Sequence, residues 1–256
     1  MAQITREGIK LAYEEAGSGG PPMLFVHGFG GGSIHFHPQL EAFKRNRRVV
    51  AIDRRGHGQS DKPEGRYDVP SIAEEVIWTA RELGLHKPVL VVHSMGAIGL
   101  EAVKQAPDFA SALVILDAPA LPPPPVREMF AEMLAGLRSP GYRDVVNAMC
   151  EKLIFIPTDD KTRAAGLKAK LLETPQHVLV STWQHFLAYD PIPAAQACKV
   201  PLLYVNSVMP CDEAGLRALV PHIVFGKSVG AGHFPQIEVP DQVNGMIARF
   251  LANAGL

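Results

Sequence analysis

The chain has 256 residues, 47% of them hydrophobic, and a formal net charge of −1, so no basic field exists to draw in nucleic acid and the length fits one large domain with or without an insertion. The opening Met1-Ala2-Gln3-Ile4-Thr5-Arg6-Glu7 is polar and no apolar run is long enough to span a bilayer, so a soluble, cytoplasmic protein without membrane contact is expected. The three cysteines, Cys150, Cys198 and Cys211, show neither metal-ligand spacing nor a disulfide pattern and read as free thiols.

In chain order, the periodicity predicts a β-ribbon from Ile4 to Glu15, a core strand over Met23 to Val26, a helix from Pro38 to Lys44, a strand over Arg48 to Ile52 and a helix from Ser71 to Leu83. The β-branched run Val89-Leu90-Val91-Val92-His93 then breaks at Ser94 and turns at once into small residues, Gly96, Ala97 and Gly99. A serine at such a strand-to-helix corner is lifted clear of the sheet at the positive end of a helix dipole, where the N–H of Met95 could meet a developing oxyanion. The usual pattern is G-x-S-x-G; here Val92 stands where the first glycine belongs, so a small residue elsewhere, Gly232 being the candidate, must make room. The bland alternative is a serine that only caps the helix.

After the strand Ala112 to Leu116 and Asp117, the pattern changes. Leu121-Pro122-Pro123-Pro124-Pro125 reads as a rigid extended hinge, and from Val126 to about Asp190 only helices are expected, broken at Pro140-Gly141, Pro157 and Pro175. Met129, Phe130, Met133, Leu134 and Leu137 lie at helical spacing, as do Trp183, Phe186 and Leu187; such stripes serve a core more often than a substrate wall. Alternation resumes with a strand from Val200 to Asn206, a helix beginning near Ala214, a strand over Ile223 to Phe225, and a helix from Asp241 to Leu251. Strands alternating with amphipathic helices predict a doubly wound, mostly parallel sheet.

A serine nucleophile needs a base and an acid to orient it. His233, on the glycine-flanked loop Val229-Gly230-Ala231-Gly232-His233-Phe234-Pro235, is the base expected. For the acid, Asp212 is first choice as the first carboxylate in the loop after the Val200 strand, with Asp117 and Glu213 as rivals; Asp212 could instead cap the following helix. The order Ser94, Asp212, His233 is that of α/β-hydrolases.

With Phe25-Val26-His27-Gly28-Phe29-Gly30-Gly31-Gly32-Ser33 and Ala51-Ile52-Asp53-Arg54-Arg55-Gly56-His57-Gly58-Gln59-Ser60-Asp61, the chain resembles the α/β-hydrolase superfamily over nearly its whole length. The resemblance implies a core of 1–120 and 194–256 with a helical cap of 121–193 over the nucleophile. It also implies a second oxyanion donor at the Phe29 N–H, and a structural turn around Asp53 and Arg55. A phosphate cradle is the alternative for the glycine loop, but no Lys-Ser/Thr follows it. His35, Phe36, Met129, Trp183 and Phe234 are the candidate substrate contacts; Arg127 and Arg138 make no convincing clamp for a dicarboxylate. The expectation is a serine hydrolase of a small ester or lactone with an apolar part, needing no metal or organic cofactor, as monomer or homodimer. The alternatives are a carbon–carbon bond hydrolase of aromatic ring-cleavage products, whose relatives share the His-Ser-Met-Gly elbow, a cofactor-free haloperoxidase, or a low-turnover ligand receptor.

Overall fold

The structure, a computed structural model, describes every residue except Ala120 and Pro123. Strands β1 (Ala2–Arg6) and β2 (Ile9–Ala16) form the expected ribbon as a hairpin. Its two-residue turn places Glu7 at φ 50° and Gly8 at φ 82°, the left-handed pair that matches strand twist. There follow β3 (Met23–Val26), α1 (His37–Phe43), β4 (Val49–Ile52), α2 (Val69–Glu82), β5 (Val89–His93), α3 (Gly96–Gln105) and β6 (Ala112–Leu116). Helices α4 (Pro124–Leu137), α5 (Tyr142–Met149), α6 (Lys161–Leu172), α7 (Gln176–Ala188) and α8 (Ile192–Ala197) precede β7 (Leu202–Asn206). The chain ends with α9 (Glu213–Leu219), β8 (Val224–Lys227), α10 (Pro235–Glu238) and α11 (Pro240–Asn253).

The eight strands lie in the order β1-β2-β4-β3-β5-β6-β7-β8. The pairs β1–β2 and β2–β4 are antiparallel, and every pair from β4 through β8 is parallel. A parallel strand covered by helices on both faces must be apolar throughout, and β3, β4, β5 and β6 are buried at every position. Alternate residues feed two cores: Leu24, Val50, Leu90 and Val92 pack toward α2, α3 and α8, whereas Met23, Phe25, Val49 and Val91 pack toward α1 and α11.

Two expectations need correction. Pro124 and Pro125 do not extend a hinge; they form the first turn of α4, where proline's fixed φ suits a helix and its missing N–H has no partner to lose. Pro123 lies outside the described residues. The room for Val92 is made by Gly99, whose added Cβ would sit 3.0 Å from Val92 Cγ2 and 2.7 Å from Leu113 Cδ1; Gly232 faces elsewhere. Breaks at Pro140-Gly141, Pro157 and Pro175 all fall between helices. No helix among the described residues is long and apolar enough to cross a membrane.

The helices between β6 and β7 share a small core of their own, with Leu137, Val146, Met149, Ile154, Leu171 and Leu179. Phe234, from the loop beyond β8, and Phe29, from the loop beyond β3, join that core, so the helical insertion sits on the loops at the C-terminal ends of the strands. Ligands of open α/β sheets bind at that edge.

Candidate active site

Ser94 joins β5 to α3 with φ +65°, a left-handed conformation that costs a non-glycine residue about 1–3 kcal/mol and persists where its surroundings over-determine it. Its N–H donates to Leu116 O (2.9 Å), extending the pairing with β6, while Met95 N–H closes the turn on His93 O (2.7 Å). Gly28 lies directly against the corner, since a Cβ there would stand 2.5 Å from Ser94 Cβ. Gly96 and Gly99 let α3 start close over Ile115 and Leu113.

Asp117 sits at the end of β6, fully buried, with φ +41°. Its Oδ2 lies 2.8 Å from His233 Nδ1. Its Oδ1 accepts three backbone N–H bonds, from Ser207 (2.7 Å), Val208 (2.9 Å) and Met209 (3.0 Å). The loop after β7 therefore supplies donors that fix the carboxylate. The first-choice acid, Asp212, lies one turn further along and caps α9 instead, Oδ1 accepting from Gly215 N–H (2.9 Å); Glu213 lies exposed in the first turn of that helix. Among the described residues neither is hydrogen-bonded to His233, so the acid paired with the histidine is Asp117.

With Nδ1–H donated to Asp117, His233 keeps Nε2 as an acceptor. The residue is held on three more sides. His93 Nε2–H donates to His233 O (2.6 Å), and the two rings lie 4.6 Å apart. His233 N–H donates to Ile154 O (2.7 Å), in the π-helical turn Cys150–Ile154 that ends α5. The neighbouring Gly232 N–H donates to Asp159 Oδ1 (2.8 Å), whose Oδ2 accepts from Ile156 N–H (2.9 Å). A side chain at Gly232 would collide with Asp159 Oδ2 and Ile154 O, both at 2.4 Å, so glycine is required for this clasp between insertion and histidine loop. Nothing in the sequence marked Asp159; its partner lies 73 positions away.

Ser94 and His233 border one cavity of about 50 Å³, with Gly28, Phe29, His35, Met95, Trp183 and Phe234 in its wall. No hydrogen bond joins Ser94 to His233 among the described residues; catalytic contacts of this kind often tighten only around substrate. The Phe29 N–H has no protein acceptor among the described residues, whereas the Met95 N–H is turned onto His93 O. Buried Arg54 braces the loop, donating to His27 O (3.1 Å) and Gly28 O (2.8 Å), and burial lowers its pKa to about 10, still charged near neutrality.

Of the candidate substrate contacts, His35, Trp183 and Phe234 line the cavity. Trp183 edges onto Phe29 (5.0 Å) and Phe130 (5.2 Å), and Phe234 packs between His35 (5.1 Å) and His93 (5.0 Å). His35 is buried with both ring nitrogens unpartnered. Burial, with the charges of Lys170 and His233, depresses its pKa to about 3. Phe36 does not reach the cavity: one residue on from His35, it points into the opposite core and packs on Phe25 (5.2 Å). Met129 is absent from the wall, its place taken by Phe130 and Met133 on the inward stripe of α4. Burial raises the thiol pKa of Cys150, Cys198 and Cys211 to about 11, so none is a thiolate near neutrality. Among the described residues no three His, Cys, Asp or Glu side chains are grouped to hold a metal ion.

Comparison with known proteins agrees with this architecture. A curated 2-(acetamidomethylene)succinate hydrolase of Mesorhizobium japonicum is 37% identical over 110 residues, 43% of this chain and only 39% of that protein. A putative carbamate hydrolase, RutD, of Caulobacter segnis is 26% identical over 95% of this chain and 97% of its own. Among solved structures, a thermophilic esterase from Thermogutta terrifontis superposes with a TM-score of 0.87 at 22% identity, covering 99% of each chain. The family model described as alpha/beta hydrolase fold matches residues 21–153, just over half of the 256, and the chain belongs to that family.

Proposed function

We propose that the protein hydrolyses a carboxylic ester or lactone through Ser94, His233 and Asp117. The observation that carries this reading is the 2.8 Å bond between His233 Nδ1 and a buried Asp117 carboxylate, at the rim of the same cavity as a serine held at φ +65°. Ser94 Oγ attacks the carbonyl carbon as its proton passes to His233 Nε2; that proton then goes to the alkoxide as the ester C–O bond breaks. Water, deprotonated by the same nitrogen, releases the acid. Asp117 holds the imidazole tautomer and stabilises its charged form. The Phe29 N–H is the oxyanion donor standing open, and Met95 N–H joins it when the substrate oxygen displaces His93 O as its acceptor.

The helical insertion acts as a cap, since Phe130, Met133, Leu171 and Trp183 close the cavity from above. A second reading, carbon–carbon bond hydrolysis, draws on the His93-Ser94-Met95-Gly96 elbow and on the unpartnered His35 ring, which offers a ketone or enol oxygen a neutral hydrogen-bonding partner. A panel of aryl esters, lactones and a vinylogous ring-cleavage diketone separates them. Turnover of esters or lactones with the diketone inert is the result expected. Preference for the diketone would replace the first reading with the second, and no turnover of any member would refute both.

A further inference from the structure

The cavity beside Ser94, at about 50 Å³, is small. An apolar cavity of about 150 Å³ admits benzene. Three residues of its wall, Pro119, Phe130 and Phe186, also form the wall of a second cavity of about 220 Å³. This second space lies beside the N-terminal turn of α3, between that turn, α4, the end of α7 and α9, and is lined by Ala97, Leu100, Leu187, Leu216, Val220 and Ile223.

Its chemistry is one-sided. The two tyrosines in its wall have committed hydroxyls: Tyr189 donates to Glu101 Oε2 (2.6 Å), and Tyr204 donates to Ala118 O. Arg127, exposed on α4, is the charged residue in the lining. A guest of the inner surface would therefore find mainly methyl, methylene and aromatic groups. Such a space rejects a polar guest, which would lose hydrogen bonds to water without replacement, and gains from every methylene it removes from water.

Resting on the ester-hydrolase reading, we propose that this second cavity seats the apolar chain or aryl group of the substrate. On this proposal the chain passes between Pro119, Phe130 and Phe186, the residues common to both walls, so that the scissile carbonyl sits at Ser94 while the chain lies behind the elbow helix. The substrate class is then an ester or lactone whose chain extends well beyond acetyl. Pro119, Phe130 and Phe186, common to both walls, make the two cavities neighbours, and that adjacency is the basis for choosing this occupant over a separate ligand.

The test is kcat/KM across two ester series, nitrophenyl esters from acetate to decanoate and alkyl acetates from ethyl to decyl. One series is expected to rise by at least about tenfold between its shortest member and its optimum, modest against the fourfold or so that each fully buried methylene allows. Ala131→Phe, on the exposed face of α4 that borders the cavity, should move that optimum to a shorter chain, and Leu187→Ala should move it to a longer one. Profiles that are flat or fall in both series, or an optimum unmoved by both variants, overturn the proposal while leaving ester hydrolysis intact. If no ester turns over, the hydrolytic reading fails separately. Binding of n-octanol, followed by the fluorescence of Trp183 against Phe130 and Phe186, still decides the cavity. Saturable binding weakened at least about fivefold by Ala131→Phe supports it, and absent or unweakened binding contradicts it.

Discussion

Asp117 and Asp212 are both loop-end carboxylates at the C-terminal edge of the sheet, and their surroundings separate them. Asp117 is buried beneath His233 with three backbone N–H groups on its other oxygen. Exchanging it for asparagine removes the charge that stabilises an imidazolium and disturbs the tautomer, a change that costs on the order of 10⁴ in kcat where it has been isolated. Asp117→Asn is expected to lose at least about a thousandfold in kcat with the fold retained, whereas Asp212→Asn, which keeps a good capping residue, should stay within about twofold. Steady-state kinetics of the two variants compare them directly, and a crippled Asp212→Asn beside an active Asp117→Asn would reverse the assignment. At this scale the sequence was half legible. Ser94 and His233 stood out through their flanking glycines, but distance along a loop does not say whether a side chain or a backbone amide will face the histidine. Asp212 looked right because it follows β7, yet the segment from Ser207 to Met209 turns its N–H groups inward first.

The elements explain why the histidine stays in place. Loops are otherwise among the more mobile parts of a fold, and here the clasp from Asp159 and Ile154 ties the one carrying His233, the proposed base, to the helical insertion. Asp159→Ala leaves the Gly232 and Ile156 N–H groups without their acceptor, a loss of about 1–3 kcal/mol for a buried donor. A misplacement near 1 Å of a catalytic group can cost on the order of a hundredfold in rate. The variant is therefore expected to lower kcat by about ten- to a hundredfold, with KM changing less than kcat and only a modest drop in Tm. Unchanged kcat in a folded Asp159→Ala protein would show that the clasp does not position the base. Strand and helix positions were readable from periodicity to within a few residues, because β3 to β6, apolar but for His93, and amphipathic α2 and α11 announce their own burial. The clasp was not readable, since it joins residues far apart in the chain and its donors are backbone N–H groups, which carry no side-chain signature. Val92 shows the same limit: its misfit with the usual elbow glycine was visible, but its compensation at Gly99 depends on how α3 lies over β5 and β6.

Across the whole molecule, four histidines are buried uncharged. Burial first, then neighbouring positive groups, lowers His35 to about 3 and holds His27, His57 and His93 well below the ordinary value of 6.5. In the unfolded chain all four bind protons near pH 6.5, so below that pH the unfolded state takes up protons that the folded state refuses. Stability should be insensitive to these groups above about pH 7 and fall as pH drops from 6.5 toward 5, by about 1.4 kcal/mol per histidine one unit below its unfolded pKa. Urea midpoints at several pH values read this, and His35→Phe should make the slope shallower. A flat profile between pH 7 and 5 would contradict the burial of neutral histidines. The doubly wound sheet and its helical insertion were the most legible features of the chain, for alternation of strand and helix is a property of whole segments and tolerates local error.

Ser94 is proposed as the nucleophile of a hydrolase whose base is His233. A fluorophosphonate, which traps an activated serine as a stable phosphonyl adduct, tests it most directly when the modified protein is digested and mapped by mass spectrometry. One adduct is expected on the peptide carrying Ser94, with loss of ester turnover in step with labelling, and neither label nor turnover in a folded Ser94→Ala protein. Labelling at another serine, or a Ser94→Ala variant retaining about a tenth of wild-type kcat, would contradict it.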